Sequence, residues 1–313
     1  LLVAPQWPVH ARGVFLRGAR ISGHFDLAST VLRCPLILKD CYFDSEQPVV
    51  LDCATLPLLK LVGCRLAGLT AAMLVVTKGL DLTRSTFTGE VMLSGANITG
   101  SFSCIGAKII GTDSSGNALF ADGIRIGGDL FLKDGFTAEG AVRLLGANIV
   151  GDLNCRSARI TGTDTSGNAL AADRVRVGGD VFLDEGFTAA GAVRLPSADI
   201  AGNITCRSAK ITGTDGSGWA LCLDRIRASD VFLDDRFTAA GAIRMQGAEI
   251  AGQLNCRTAH INGAGTDGNA LVADEVRVGG AVFLDEGFTA AGAVRLWAAR
   301  VEGALYLRDA TFA

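Results

Sequence analysis

The stretch from Gly179 to Ser229, GDVFLDEGFTAAGAVRLPSADIAGNITCRSAKITGTDGSGWALCLDRIRAS, has close copies on both sides at a spacing of about fifty residues. An earlier copy opens at Gly128 with GDLFLKDGFTAEGAVRLLGANIVGDLNCRSARITG, and later ones open at Ser229 with SDVFLDDRFTAAGAIRMQGAEIAGQLNCRTAHING and at Gly280 with GAVFLDEGFTAAGAVRL. Self-similarity at a fixed period specifies a solenoid, in which each unit buries its apolar face against the next. At 313 residues the chain has room for one to three ordinary domains, but the repeat leaves no space for a separate one.

Within each long unit lie shorter blocks of about eleven residues, each with two strand-like triplets whose first and third residues are apolar or small. Those residues face one side of a strand. In the central unit the inward pairs are Val181/Leu183, Val193/Leu195, Ala198/Ile200, Ile204/Cys206, Ala209/Ile211, Leu221/Leu223 and Ile226/Ala228. The segment around Phe187 breaks the pattern. Two extra residues there predict a wider corner with the ring plugging the inside, and Phe136, Phe237 and Phe288 repeat it.

Successive pairs lie about five or six residues apart and every fourth pair is of one kind, so four short sides make a coil of about twenty-two residues. The long unit of about 51 residues is two coils. The third side falls on Val14/Leu16, Leu36/Leu38, Leu59/Leu61, Leu80/Leu82 and Phe102/Cys104, and carried forward it reaches Leu305/Leu307. About thirteen coils then stack at ~4.8 Å into a rod on the order of 60 Å long. The expected organisation is an arm or cap over 1–12, containing Pro5, Trp7 and Pro8, and one continuous solenoid over 13–313. An irregular coil is expected near 66–78, and the long two-coil repeats occupy 79–313. With 40 Gly, 6 Pro and 49% hydrophobic residues, the composition suits short strands, tight corners and an aliphatic core rather than long helices.

The small-x-Ile steps Ala19-Arg20-Ile21, Ala96-Asn97-Ile98, Ala147-Asn148-Ile149, Ala198-Asp199-Ile200 and Ala248-Glu249-Ile250 resemble the pentapeptide-repeat family. The resemblance runs from about Val14 to Leu307 and implies an all-β fold, a single-stranded right-handed parallel β-helix with four sides. Many steps here are six residues, and polar loops are inserted. The GDV and GNI steps are also similar to those of bactofilins, whose three-sided β-helix polymerises end to end, so a three-sided coil stays open as the alternative.

Several ladders are candidates for function. On the third side the outward positions read Phe131, Asn154, Phe182, Thr205, Phe232, Asn255, Phe283 and Tyr306. An aromatic on every second coil is a candidate interaction face, because monomers rarely expose long apolar patches. Slippage of the frame would instead turn the rings into the core. The fourth side carries Arg20, Arg65, Lys108, Arg159, Lys210 and His260, with Arg156, Arg207 and Arg257 at the adjoining corner. This basic strip lies near the acidic corners at Asp134, Asp184, Glu185, Asp234 and Asp285, so a solvated face is favoured over polyanion binding. On the second side Arg176, Asp199, Arg227, Glu249 and Arg277 alternate in sign, which reads as a structural ladder worth about 0.2–1 kcal/mol per cross-strand pair.

Cys104, Cys155, Cys206 and Cys256 recur two coils apart, about 9.6 Å, too far for a disulfide or a shared zinc ion. They read as small core residues. Cys41 and Cys64 share a slot in consecutive coils, where stacked parallel side chains keep the Cβ atoms apart. The nine cysteines contain no CxxC pair, which places the chain in the cytoplasm, with its thiols reduced. The inserted loops at 111–116, 162–167, 213–218 and 263–268 each offer an aspartate, Asp113, Asp164, Asp215 and Asp267, in a context of turn chemistry rather than calcium binding.

The histidines His10, His24 and His260 stand in unrelated places, and no phosphate-cradling, HExxH or GxSxG motif occurs. No catalytic, cofactor-binding or metal residue is assigned. A formal net charge of -3 gives no global drive toward nucleic acid or membrane, and the longest apolar run, Ala71 to Val76, is far short of a span. The chain opens at Leu1 rather than Met, so a segment upstream is expected to be missing. The expected function is a non-catalytic scaffold for protein–protein interaction or self-assembly, through a side face or the open ends, with no cofactor and no small-molecule substrate. Its rivals are a bactofilin-like filament, a topoisomerase-interacting pentapeptide-repeat protein, a chain labelled oxidoreductase without a cofactor site, and a polysaccharide-acting β-helix enzyme. Near-neutral charge weighs against DNA mimicry, and dispersed aspartates weigh against glycoside chemistry.

Overall fold

The computed structural model describes residues 13–313; the arm expected around Pro5, Trp7 and Pro8 lies outside them. Straight runs are short because a Gly or a polar turn follows nearly every apolar triplet, so each side of a coil holds a strand of two to four residues over most of the rod. All strands pair in parallel with their counterparts in the coils before and after. On the third side the register runs Val14, Leu36, Leu59, Leu80, Phe102, Leu130, Leu153, Val181, Ile204, Val231, Leu254, Val282, Leu305 without a break. The fourth side is a 13-stranded sheet and the first an 11-stranded one. The second and third sides share a 22-stranded sheet, joined where Thr55–Val62 and Val75–Asp81 run straight through the corner. The protein is therefore an all-β parallel β-helix with four ladders per coil.

Residues 66–78 pair regularly through Arg65–Leu66 and Leu69–Thr70. The irregularity falls at the end of this stretch, where Thr77 and Lys78 together hold one extra residue and the register slips between Leu56 against Val76 and Leu58 against Gly79.

Most third-to-fourth corners are two-residue turns closed by a backbone hydrogen bond. Ala158 N–H donates to Cys155 O at 3.0 Å, with Ser157 at φ 56°. The corners before Phe136, Phe187, Phe237 and Phe288 are longer, but by one residue rather than the two expected: Leu183 and Phe187 are separated by Asp184, Glu185 and Gly186, whereas Cys155 and Ala158 are separated by Arg156 and Ser157. The extra residue lets the turn adopt two successive positive φ values, as at Glu185 (50°) and Gly186 (88°). That is the mirror-image turn that favours glycine at its second position. In the third copy Arg236 stands there at φ 62°. Holding a residue with a Cβ in the left-handed region costs about 1–2 kcal/mol, less glycine's larger entropy loss. Arg236→Gly is therefore expected to stabilise the protein by about 1 kcal/mol in chemical denaturation, and no gain in midpoint would count against this reading of the corner.

The core is one continuous file of buried side chains along the axis, with Phe87, Phe102, Phe136, Phe187, Phe237 and Phe288 among its largest. On the fourth side, coils with a large first inward residue have a small second one, as in Phe136/Ala138 and Phe187/Ala189, and they alternate with Ala158/Ile160 and Ala209/Ile211. Alternating volumes let neighbouring coils interdigitate at the density a protein interior requires. The two-coil period of the sequence is in this sense a period of core volume.

Candidate interaction surface

The aromatic row and the corner arginines, separate in sequence, form one structure. Phe131, Phe182, Phe232 and Phe283 point outward from the third side and are half-buried, with Asn154, Thr205 and Asn255 buried between them. Arg156 lies over the Phe182 ring at 3.8 Å, Arg207 over Phe232 at 4.4 Å and Arg257 over Phe283 at 3.9 Å. The same guanidinium groups donate to Asp184, Asp234 and Asp285, each at 3.0 Å. A cation over a ring face together with a charge-assisted hydrogen bond fixes both partners. In the first copy, where Ile105 replaces the arginine, Lys133 replaces the aspartate and itself sits over Phe131 at 5.7 Å. Tyr306 stacks on Phe283 at 4.9 Å. The row is thus roofed by its own arginines, and those arginines are neutralised in place. Burial pushes the Asp184 carboxyl above its ordinary value, and Arg156 opposes that rise without cancelling it.

The rest of the basic strip stays on the flat of the fourth side. Lys108, Arg159 and Lys210 are exposed and alternate in register with Thr137, Thr188 and Thr238, while His260 Nδ1 lies 2.8 Å from Thr289 Oγ1.

Two ladders are apparent in the structure that the spacing argument missed. At the first-to-second corner Arg143 pairs with Asp122 at 2.8 Å, Arg194 with Asp173 at 3.3 Å, Arg244 with Asp224 at 2.7 Å, and Arg295 with Asp274. At the second-to-third corner a spine runs from Ser101 to Gln253. Ser101 Oγ accepts the Asp129 N–H at 3.1 Å, and Asp129, Asp152, Asp180, Asn203 and Asp230 each accept the backbone N–H of the next coil at 2.6–3.2 Å. The signal was the Gly-Asp or Gly-Asn pair that opens the sides of Asp129, Asp152, Asp180 and Asn203, with Ser229-Asp230 in its place one coil on.

The second side is less fully satisfied. Its outward residues register as Arg176, Asp199, Arg227, Glu249, Arg277 and Arg300. Glu249 pairs with Arg227 at 3.1 Å and with Arg277 at 3.0 Å. Asp199 stands between Arg176 and Arg227 but, among the described residues, pairs with neither; its side chain is one methylene shorter than that of Glu249. Arg176 and Arg300 likewise have no ion-pair partner among the described residues.

Beside this ladder runs a groove of about 630 Å³, floored by Ala201, Ala228, Ser229, Ala251 and Gly279 and rimmed by Arg227, Glu249, Arg277 and Glu302. It lies over a corner shortened by one residue: Ala228-Ser229-Asp230-Val231 replaces the five-residue step Ile200-Ala201-Gly202-Asn203-Ile204. The rung there keeps Asp199 against Arg227, and Ser229 N–H then donates to Gly202 O at 2.8 Å. The groove continues toward Asn148, Val150 and Gly178. A second groove of about 470 Å³, lined by Ser197, Arg225, Gly247 and Glu275, flanks the ladder on its other edge.

The loop aspartates are engaged by their own turns. Asp113 Oδ1 accepts the N–H groups of Ser115 and Asn117, both at 2.8 Å, and Asp164 and Asp215 repeat the pattern. Burial raises the Asp113 carboxyl, but the hydrogen bonds from Asn117 and Ser115 more than offset it and hold it below its ordinary value. All nine cysteines are free thiols, and Cys53 alone is exposed. Cys41 and Cys64 do not join; Cys64 Sγ donates to Leu38 O at 3.3 Å. Among the described residues no helix is long and apolar enough to cross a membrane. No protein-family model, curated protein or solved structure matches the chain.

Proposed function

We propose that the protein is a non-catalytic β-solenoid scaffold that docks a protein partner along its second side, and that it is akin to the pentapeptide-repeat proteins. The observation that carries this reading is the pair of grooves flanking a ladder of incompletely paired charges. Elsewhere the corner charges are tied to neighbouring coils, which makes the rod a stiff frame. An apolar floor with charged rims is the composition of a protein-binding surface rather than of a small-molecule pocket. The small-x-Ile steps and four ladders per coil support the kinship, and the free thiols support a cytoplasmic setting.

The test is a photo-crosslinking residue placed at Ser229 in the groove and, as a control, at Thr188 on the fourth side, in the host cell. Discrete protein adducts are expected from position 229 and none from position 188. Equal labelling at both positions, or none at 229, would refute docking along the second side.

A further inference from the structure

We propose that the partner of the second side is the same side of a second copy, packed antiparallel about a two-fold axis that lies in the interface, parallel to the strands, between the coils of Arg227 and Glu249. This inference rests on the scaffold reading and names its partner. The four central rungs, where the charge alternates coil by coil, are self-complementary under such an axis, because each of them meets a rung of opposite sign. Arg227 comes opposite the second copy's Glu249, and Asp199 opposite its Arg277. Asp199, which pairs with neither Arg176 nor Arg227 within the chain, gains the partner it lacks. At the outer rungs Arg176 meets the second copy's Arg300, where Glu302 on the same coil offsets the repulsion.

The corners agree with the ladder. In this arrangement Arg225 lies one coil from the second copy's Glu275; within the described residues neither has an ion-pair partner, and both line the flanking groove. Small residues at Ala201, Ser229, Ala251 and Gly279 allow the two faces to approach closely. Half-coil shifts are disfavoured as well. Shifting the axis onto a rung puts Arg against Arg and Glu against Glu, and like-charge juxtaposition costs several kcal/mol. The interface is an isologous one, closed at two copies. With six coils spanning about 24 Å, it belongs to the small, reversible class.

The experiment is sedimentation equilibrium of the full chain from micromolar to near-millimolar concentration, at low and high salt. A monomer–dimer equilibrium that weakens with salt is expected. Asp199→Arg alone and Arg277→Asp alone each place like charges opposite one another at both symmetric contacts, so each variant is expected to dimerise about a hundredfold more weakly. An equimolar mixture of the two variants restores opposite charges at both 199–277 contacts and is expected to form the heterodimer with near-original affinity. Rescue by mixing also shows that both variants are folded. A wild-type chain that stays monomeric, a dimer insensitive to both reversals, or a mixture that fails to associate would each overturn the inference. If the wild type is monomeric yet a probe at Ser229 still captures a different protein, the self-pairing falls and the scaffold reading stands; if Ser229 captures nothing, both fall.

Discussion

Above about pH 9 the solenoid is expected to lose stability steeply as the pH climbs. The cause is its file of buried thiols. Burial raises Cys64 from the ordinary thiol value of 9.0 to about 11 and Cys155 to about 12, and it raises Cys104, Cys206, Cys222 and Cys256 as well. The sign follows from linkage. A group whose pKa is raised on folding contributes stability that is fully present below its unfolded pKa and is lost as pH climbs through the folded value. Above pH 9 the unfolded chain releases thiol protons that the folded chain keeps, at about 1.4 kcal/mol per thiol for each pH unit. Denaturation midpoints measured at intervals from neutral pH upward should fall steeply beyond pH 9. Replacing Cys104, Cys155, Cys206 and Cys256 with Ala should flatten that limb, although the variant is less stable at neutral pH. An alkaline limb of unchanged slope would show that the thiols are not what titrates.

The register of the rod was legible from apolar spacing alone. Counting inward pairs placed Val14, Leu36, Leu59, Leu80 and Phe102 on one side, and those residues pair in that order. Period two determines which way a residue points, and coil length determines what lies beneath it. Neither determines where a long side chain leans. Arg156, Phe182 and Asp184 were therefore read as parts of a basic strip, an aromatic row and an acidic corner, although they form a single ring–guanidinium–carboxylate cluster. The alternating ladder was visible as a pattern of sign, but its pairing depends on reach: Glu249 extends to both neighbours, and Asp199 to neither. The corner before Phe187 was overcounted by one residue, and the missing residue at Ala228-Ser229-Asp230, visible when the copies are laid side by side, proved to lie beneath the groove.

Phe187→Ala is expected to destabilise the protein by about 3–5 kcal/mol, the cost of losing a fully buried ring and leaving a cavity. The volume alternation makes sharper claims than the single substitution. In the coils before and after, Ala158/Ile160 and Ala209/Ile211 place the bulk at the second inward position. Adding Ala189→Ile to Phe187→Ala gives this coil the same distribution, and it is expected to recover about 1–2 kcal/mol, since each buried methylene is worth about 0.8 kcal/mol. Adding Ala158→Phe instead restores the total volume of the core but sets a ring beside Ile160 in one coil and against Phe136 in the coil before. Overpacking of that kind costs a further 1–3 kcal/mol or so. If volume along the axis were interchangeable between coils, the two double variants would behave alike. If each coil must fill its own cross-section, the first is rescued and the second is worse than Phe187→Ala alone. Urea midpoints followed by far-UV circular dichroism separate the two cases, and equal rescue by both would mean that the alternation of Phe and Ala reflects descent from a duplicated unit without a packing constraint.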